Sequence, residues 1–303
     1  MTENLEHKIN KYMDENPSQV KEILSFYIKN LIDKDVAVVK EWRRENMNAI
    51  EADCISQCNF QMAICTAESI LSLAKGINWT QYNSTFIDIN ACACLVRSLY
   101  ERAFIYRNIF ITPSNKLERD LLLYIWEIRG INNRVNLKDI EEKYANIQEN
   151  DKDSIIQLKR KAFKIAEELS ITENVMKQIN NAINSTTSTI RGLLFEKEDA
   201  KIVNLKSIHL EESPKYYFKD KSLESAYTYL SFTTHPSYLG VIQFGQRYND
   251  RKDEKELNFI FLTLTFHLLS EISIDFCKGT SNAEKYLELI YPYTQNYFTE
   301  NKF

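Results

Sequence analysis

Residues that interrupt helices are scarce in this chain, which contains six glycines and five prolines among its 303 residues. Typical usage is roughly 7% glycine and 5% proline. β-Sandwiches and barrels need turns built from these residues, and Rossmann or P-loop phosphate sites need glycines at fixed places. The scarcity therefore predicts an all-α fold, a multi-helix bundle with long helices and few breaks.

The composition also limits the classes of function. Hydrophobic residues make up 44% of the chain, aromatic residues make up 12% and the net charge is −4, so the chain can bury a large core and is not disordered. The 38 basic residues against 42 acidic ones give no basic excess of the kind that binds nucleic-acid backbones without sequence specificity. A local basic groove is still compatible with these totals.

The cysteines and the N-terminal segment predict a cytoplasmic protein. The six cysteines lie in helix-like apolar stretches, and residues 1–18 contain no apolar run typical of a secretory signal. The most apolar run, residues 257–274, includes His267 and Glu271 near its end. We therefore expect a buried helix there and not a membrane span.

Helix-start signals divide the chain into segments. Asn16-Pro17 and Thr112-Pro113 place an N-cap residue before a proline, and the pairs Thr85/Asp88, Ser170/Glu173 and Ser281/Glu284 have the spacing of a capping box. Together with the apolar spacing these signals predict helices over residues 3–15, 17–46, 48–76, 85–111, 113–130, 137–147, 151–169, 171–197, 221–233, 236–246, 252–278 and 281–298.

Apolar residues recur at three- and four-residue steps along residues 85–111, so we expect this long helix to lie at the centre of the bundle.

Residues 132–160 are dense in charge, which predicts a solvated helical insertion. The least helical part of the chain, near residues 200–220, is compatible with one short β-hairpin. We expect an N-terminal helical half over residues 1–198 and a C-terminal helical half over residues 199–303, packed together as one co-folded unit.

Arg97 and Glu101 form the first candidate site. They are one helical turn apart, so both side chains project from the same face of the central helix, among apolar neighbours. One interpretation is an internal ion pair that orders neighbouring helices. The other is an arginine that binds an anionic group while a carboxylate orients it.

The second candidate site is the segment AYTYLSFTTHPS, residues 226–237. If it is helical, Tyr227 and Ser231 share a face, and His235 stands where the helix ends before Pro236. The helix dipole favours the imidazolium form of such a histidine, and the following proline pushes its backbone towards an extended conformation. Two roles stay open for His235, a proton donor or acceptor and a cap on helix carbonyls.

Together these two segments resemble an uncharacterised bacterial helical family of unknown function. The resemblance is carried by the Arg-x-x-x-Glu pair (Arg97, Glu101) and by Tyr-Leu-Ser-x-x-x-His-Pro-Ser at residues 229–237, and it covers residues 50–111 and 221–280. Proteins of this kind are distantly similar to the higher-eukaryote-and-prokaryote nucleotide-binding helical bundles. Many of those bundles are metal-independent RNases in phage defence and toxin systems.

This resemblance implies that Arg97 binds phosphate, that Glu101 orients the arginine, and that His235 acts as acid or base when an RNA 2′-hydroxyl attacks. The active RNases carry arginine and histidine a few residues apart on one segment. No histidine in this chain has an arginine at that distance upstream, so Arg97 and His235 would meet only through the fold. The residues expected to contact the substrate are Tyr229, Ser231 and Arg107.

Metal binding is the less favoured interpretation of two further groups. Cys54, Cys58 and Cys65 share a helical face, but the tight Cys-x-x-Cys turns of structural zinc sites are absent. His267, Glu271 and Asp275 form an acidic stripe, which we interpret as an internal hydrogen-bonded face. We expect no metal and no other cofactor.

The sequence thus leaves two hypotheses for function. The first is a bacterial phage-defence or stress effector that acts on RNA or a nucleotide as a metal-independent ribonuclease-like enzyme, with Arg97, Glu101 and His235 as catalytic residues. The second is a non-enzymatic interaction or structural module in which the same residues form a buried polar network. The aromatic C-terminal tail favours helix packing within the chain or across a homodimer, and an operon-encoded protein is another expected partner.

Overall fold

The computed structural model describes residues 17–79, 84–137, 141, 145–185, 191–216, 225–234, 238, 241–242, 245–246 and 252–294. The predicted helix over residues 3–15 and most of the predicted helix over residues 236–246 lie outside these ranges, as does His235. In chain order the elements are α1 (Pro17–Glu45), α2 (Glu51–Ala74), β1 (Ile77–Trp79), β2 (Ser84–Phe86), α3 (Ile89–Tyr106), a π-helical turn (Arg107–Ile111), α4 (Lys116–Val135), α5 (Ala145–Glu168), α6 (Glu173–Asn184), β3 (Arg191–Glu198), β4 (Lys201–His209), a 3-10 turn (Leu210–Glu212), α7 (Ser213–Tyr216), α8 (Ala226–Thr234), α9 (Lys252–Gly279), a second 3-10 turn (Glu284–Tyr286) and α10 (Leu287–Thr294).

The all-α prediction is confirmed. Apart from the antiparallel hairpins β1–β2 and β3–β4, every regular element in the described ranges is helical. The chain forms two compact units, one of residues 1–106 and 218–303 and the other of residues 107–217. These limits differ from the division expected at residues 198 and 199, which falls in the turn between β3 and β4.

Helix α9 is the core helix of the first unit, where it packs against α1, α2 and α3. Its segment Asn258–Gly279 is long and apolar enough to span a membrane, but 67% of an 18-residue apolar stretch within it is buried inside the fold. The Phe276 ring stacks on Phe60 of α2 with centroids 4.5 Å apart and meets Trp42 of α1 edge-on at 6.0 Å. The apolar run is therefore a buried helix, as predicted, which is typical of the core of a soluble protein.

Helix α3 occupies most of the segment that was predicted to be central. Its buried residues include Ala93, Val96 and Tyr100 at the expected three- and four-residue steps. The helix begins at Ile89 and not at residue 85, because Ser84–Phe86 pairs with Ile77–Trp79 as strand β2.

In the second unit, α4, α5, α6 and the β3–β4 hairpin share one hydrophobic core. The predicted hairpin exists, but it begins earlier, so the helix predicted over residues 171–197 was wrong at residues 191–197, while residues 186–190 lie outside the described ranges. Leu193 and Phe195 of β3 are buried at two-residue spacing, which suits a strand. Asp199 and Ala200 have positive φ angles of 48° and 66° and close the two-residue turn.

Residues 145–160 of the charged segment belong to one continuous helix, α5, which runs through the break predicted between the helices over residues 137–147 and 151–169. Residues 138–140 and 142–144 lie outside the described ranges. Arg134 of α4 forms a hydrogen-bonded ion pair with Asp151 of α5. The helix is not wholly solvated, because Ile155 and Leu158 contribute to the core of the second unit.

Candidate functional site

The Arg97–Glu101 pair has the geometry that its spacing predicts. The Arg97 Nε donates to Glu101 Oε1 at 3.0 Å along one turn of α3. The two side chains are only 23% and 20% exposed, since α9, α2 and α8 all pack around α3. The pair is thus an inner feature of the first unit.

Helix α8 supplies two further hydrogen-bond acceptors for the Arg97 guanidinium. Arg97 Nη2 donates to the Tyr227 hydroxyl at 2.9 Å, and Nη1 donates to Thr234 Oγ1 at 3.0 Å. The Tyr227 hydroxyl in turn donates to Glu101 Oε1 at 3.3 Å. All three nitrogens of the guanidinium therefore donate to protein oxygens, which come from two helices. We call Arg97, Glu101, Tyr227 and Thr234 the Arg97 network.

Ring contacts add to these hydrogen bonds. The Arg97 guanidinium carbon lies 5.1 Å from the centre of the Tyr227 ring, which is within cation–π range. The same ring lies 5.5 Å from that of Tyr100, a fully buried residue of α3. Tyr227 is thereby fixed on one side by a buried ring and on the other by an ion pair.

The protonation states within the network follow from burial and charge. Burial lowers the pKa of Arg97, but the interactions with Tyr227 and Glu101 outweigh burial, so the net pKa is raised. Burial and then the Glu101 carboxylate raise the pKa of Tyr227. At neutral pH Arg97 is consequently a fixed cation and Tyr227 a neutral phenol, so neither exchanges protons readily.

The substrate residues proposed on α8 have other contacts. Ser231 Oγ donates to the Tyr227 backbone oxygen at 2.8 Å, and the Tyr229 ring lies 6.4 Å from that of Phe261 on α9. Tyr229 is two residues from Tyr227 and therefore projects from a different face of the helix. Thr234 accepts from Arg97 and donates to the Ser231 backbone oxygen at 3.1 Å.

His235 and Arg107 are not part of the described network. His235 follows Thr234 in the sequence and lies outside the described residues. Arg107 begins the π-helical turn of the second unit, where its backbone oxygen accepts from the Thr112 amide at 2.9 Å and from the Thr112 hydroxyl at 3.0 Å. The predicted roles of both residues stay predictions.

Sequence reasoning missed the parts that Tyr227 and Thr234 play. The two residues are seven positions apart, which is close to two helical turns, so they share a face of α8. An internal arginine needs more oxygen partners than one carboxylate supplies, so two hydroxyl groups on one helix face were a signal for such partners.

The cysteines and the acidic stripe do not assemble a metal site in the described part of the chain. No three His, Cys, Asp or Glu side chains there form a group that could hold a metal ion. Cys54, Cys58 and Cys65 are exposed thiols on α2. Asp275 of the stripe is buried on α9.

One buried carboxyl group was not anticipated. Asp35 on α1 is 0% exposed, and its Oδ2 accepts from Ser273 Oγ of α9 at 2.8 Å. Its Oδ1 has no hydrogen-bond partner among the described residues. Burial raises the pKa of Asp35 well above its ordinary value, and the Ser273 hydrogen bond only partly offsets that effect.

Comparisons of the chain with protein-family models, with curated proteins and with solved structures found no match.

Proposed function

We propose that the protein is a non-enzymatic helical interaction module in which the Arg97 network is a structural clamp between α3 and α8. The observation that carries this proposal is the coordination of Arg97, whose Nε, Nη1 and Nη2 all donate to protein oxygens. Such a network holds two helices in one relative position, because each side chain depends on the others for its partners.

The electrostatics support the same function. An arginine that recognises phosphate offers two parallel N–H groups to the ligand. Here a phosphate that took the place of Thr234 and Tyr227 would also lie close to the Glu101 carboxylate, whose Oε1 accepts from Arg97 at 3.0 Å. That displacement would cost hydrogen bonds to a partly buried cation, each worth about 1.5–3 kcal/mol.

A second candidate function is the RNA- or nucleotide-directed effector of bacterial phage defence or stress, located in the cytoplasm. It is favoured by the partial exposure of Arg97 and Glu101 and by the place of Thr234, which is followed in the sequence by His235. In this function Arg97 binds phosphate, Glu101 orients it and His235 transfers protons. Tyr229, Ser231 and Arg107 contact the substrate, and a homodimer or an operon-encoded protein is the expected partner.

One experiment separates the two functions. Cells express the wild-type chain, Arg97→Ala, His235→Ala or the control Lys40→Ala, whose side chain is exposed on α1. RNA integrity and growth are followed with and without phage challenge, and the melting temperature is measured on the purified proteins.

If the protein is an interaction module, RNA should stay intact in every strain, and only Arg97→Ala should have a lower melting temperature than the wild type. The effector predicts RNA cleavage by the wild type that His235→Ala abolishes without a change in melting temperature. Cleavage of that kind would overturn the structural clamp as the main function.

A further inference from the structure

The outward face of α2 is unusual because it lacks charge. Residues 54–67 include no Asp, Glu, Lys or Arg, although 26% of the whole chain is charged. The exposed residues on this stretch are Cys54, Cys58, Gln61, Met62 and Cys65. Charged residues are depleted and methionine is enriched at the centres of protein interfaces.

This face borders a shallow groove between α2 and α3, which are consecutive packed helices. The groove has a volume of about 540 Å³, and its lining includes Cys58, Met62 and Cys65 of α2 and Leu95 and Arg102 of α3. Arg102 is the charged residue of that lining. The groove is therefore lined by uncharged residues and a single cation.

Arg102 differs sharply from Arg97, five residues earlier on the same helix. Its Nη1 donates to Met62 Sδ at 3.4 Å, a weak acceptor, and its buried Nε has no hydrogen-bond partner among the described residues. Burial lowers the pKa of Arg102, and the charge of the neighbouring Glu101 compensates only in part. A carboxylate that pairs with a partly buried cation in this state therefore stabilises it.

Two alternative occupants fit this surface poorly. A second copy of the chain that docked through the same face would bring two Arg102 side chains together across a lining that offers no carboxylate. A small carboxylate would cover only one end of residues 54–67, which extend for about 20 Å along α2. A helix matches both the length and the shape, because the groove between two packed helices accepts a third.

We propose that this groove binds an amphipathic helix of another protein, with apolar side chains along α2 and a Glu or Asp carboxylate paired with Arg102. The inference rests on the interaction function proposed above and places that function on a surface separate from the Arg97 network. The thiols of Cys58 and Cys65 become covered when the helix is bound.

The test selects binders from a displayed library of helical peptides about 18 residues long, which span about 27 Å. Apolar, acidic, basic and amide residues are randomised along one face, and the full-length protein is the target. The best peptide is then measured by fluorescence anisotropy against the wild type, Arg102→Gln, Met62→Glu and the control Arg43→Gln, whose side chain is exposed on α1. Met62→Glu introduces a carboxylate beside Arg102 at an exposed position, so it competes for the cation without disturbing the core.

Enriched peptides should carry an apolar stripe with one Glu or Asp. Arg102→Gln, Met62→Glu and replacement of the peptide carboxylate by its amide should each raise Kd about tenfold or more, which corresponds to about 1.4 kcal/mol. Arg43→Gln should have no effect. Arg102→Gln combined with the peptide amide should cost no more than either change alone, and the bound peptide should slow alkylation of Cys58 and Cys65.

Three results would overturn the proposal. The first is enrichment of no peptide, or of peptides indifferent to Arg102→Gln. The second is displacement of the peptide by octanoate, when octanoate alone binds the protein as tightly as the peptide does. That result would identify a small carboxylate as the occupant of the groove. The third is a concentration-dependent dimer that Met62→Glu dissociates. None of these results bears on RNA cleavage, so failure of this groove and failure of the proposed function are distinguishable.

Discussion

Thr234 and Arg97 are 137 residues apart in the sequence, yet the threonine hydroxyl accepts a hydrogen bond from Arg97 Nη1 at 3.0 Å. Thr234 is the last residue of α8, and the hydroxyl also donates to the backbone of the same helix. The contact therefore couples the end of a short helix to the middle of α3. It depends on the fold alone, because no local pattern relates the two positions.

Thr234→Val should lower the free energy of unfolding by about 1 kcal/mol, because valine has the shape of threonine and leaves Nη1 without that acceptor. Urea unfolding followed by tryptophan fluorescence measures the change. Thr228→Val is the matched control, since Thr228 is exposed on the same helix. Equal effects of the two substitutions would contradict a specific role of the Arg97 hydrogen bond.

Glu101→Leu and Tyr227→Phe should be coupled. Glu101→Leu removes the oxygen that accepts from Arg97 Nε, Tyr227→Phe removes the hydroxyl that accepts from Arg97 Nη2, and each also breaks the hydrogen bond that joins Tyr227 to Glu101. Either change should cost about 1–3 kcal/mol, and the double variant should cost less than the sum because the Tyr227–Glu101 bond is lost only once. A double-mutant cycle of urea unfolding measures the coupling, and strict additivity would show that the three side chains act independently.

Helix starts illustrate how far the sequence predicts the fold. The capping signals lay within a few residues of real helix starts, but at α3, α4 and α6 neighbouring side chains do the capping. Asp88 accepts from the Ala91 amide at 2.9 Å at the start of α3, and Asn115 accepts from the Glu118 amide at 3.0 Å at the start of α4. Thr112, expected to cap α4, instead donates to the Arg107 backbone oxygen. Several Ser, Thr, Asn and Asp residues cluster at each boundary, and backbone geometry decides which one caps.

The site was predictable only where its members are close in sequence. Arg97 and Glu101 were found because one helical turn fixes their separation. The contacts of Tyr227 and Thr234 with Arg97 depend on how α8 packs against α3, which periodicity does not determine. The helix predicted over residues 171–197 was wrong at residues 191–197, which form strand β3, because the apolar run 193–195 is too short for periodicity to distinguish a strand from a helix.

Ala200→Gly should stabilise the second unit. Ala200 has a φ of 66° in the β3–β4 turn, where a Cβ atom costs roughly 1 kcal/mol relative to glycine. Glycine is more flexible in the unfolded chain, so the net gain should be smaller, about 0.5 kcal/mol. Differential scanning calorimetry measures the shift in melting temperature. Ala182→Gly on α6 is the control of opposite sign, since glycine destabilises a helix interior.

Asp35 should make the stability of the first unit fall as pH rises. The folded state holds the Asp35 proton more tightly than the unfolded state, because burial raises the pKa of the carboxyl above its ordinary value of 3.8. Below pH 3.8 both states are protonated and the contribution of Asp35 is fully retained. Between that pH and the folded-state pKa, the Asp35 contribution to the free energy of unfolding falls by about 1.4 kcal/mol per pH unit.

Asp35→Asn keeps the size of the side chain and an acceptor for Ser273 but does not titrate. Urea unfolding of the wild type and the variant from pH 4 to 9 isolates the contribution of Asp35, because all other titrating groups are common to both proteins. The difference in unfolding free energy should shift in favour of Asp35→Asn as pH rises and become constant above the folded-state pKa. A difference independent of pH would mean that Asp35 ionises in the folded protein as readily as it does in water.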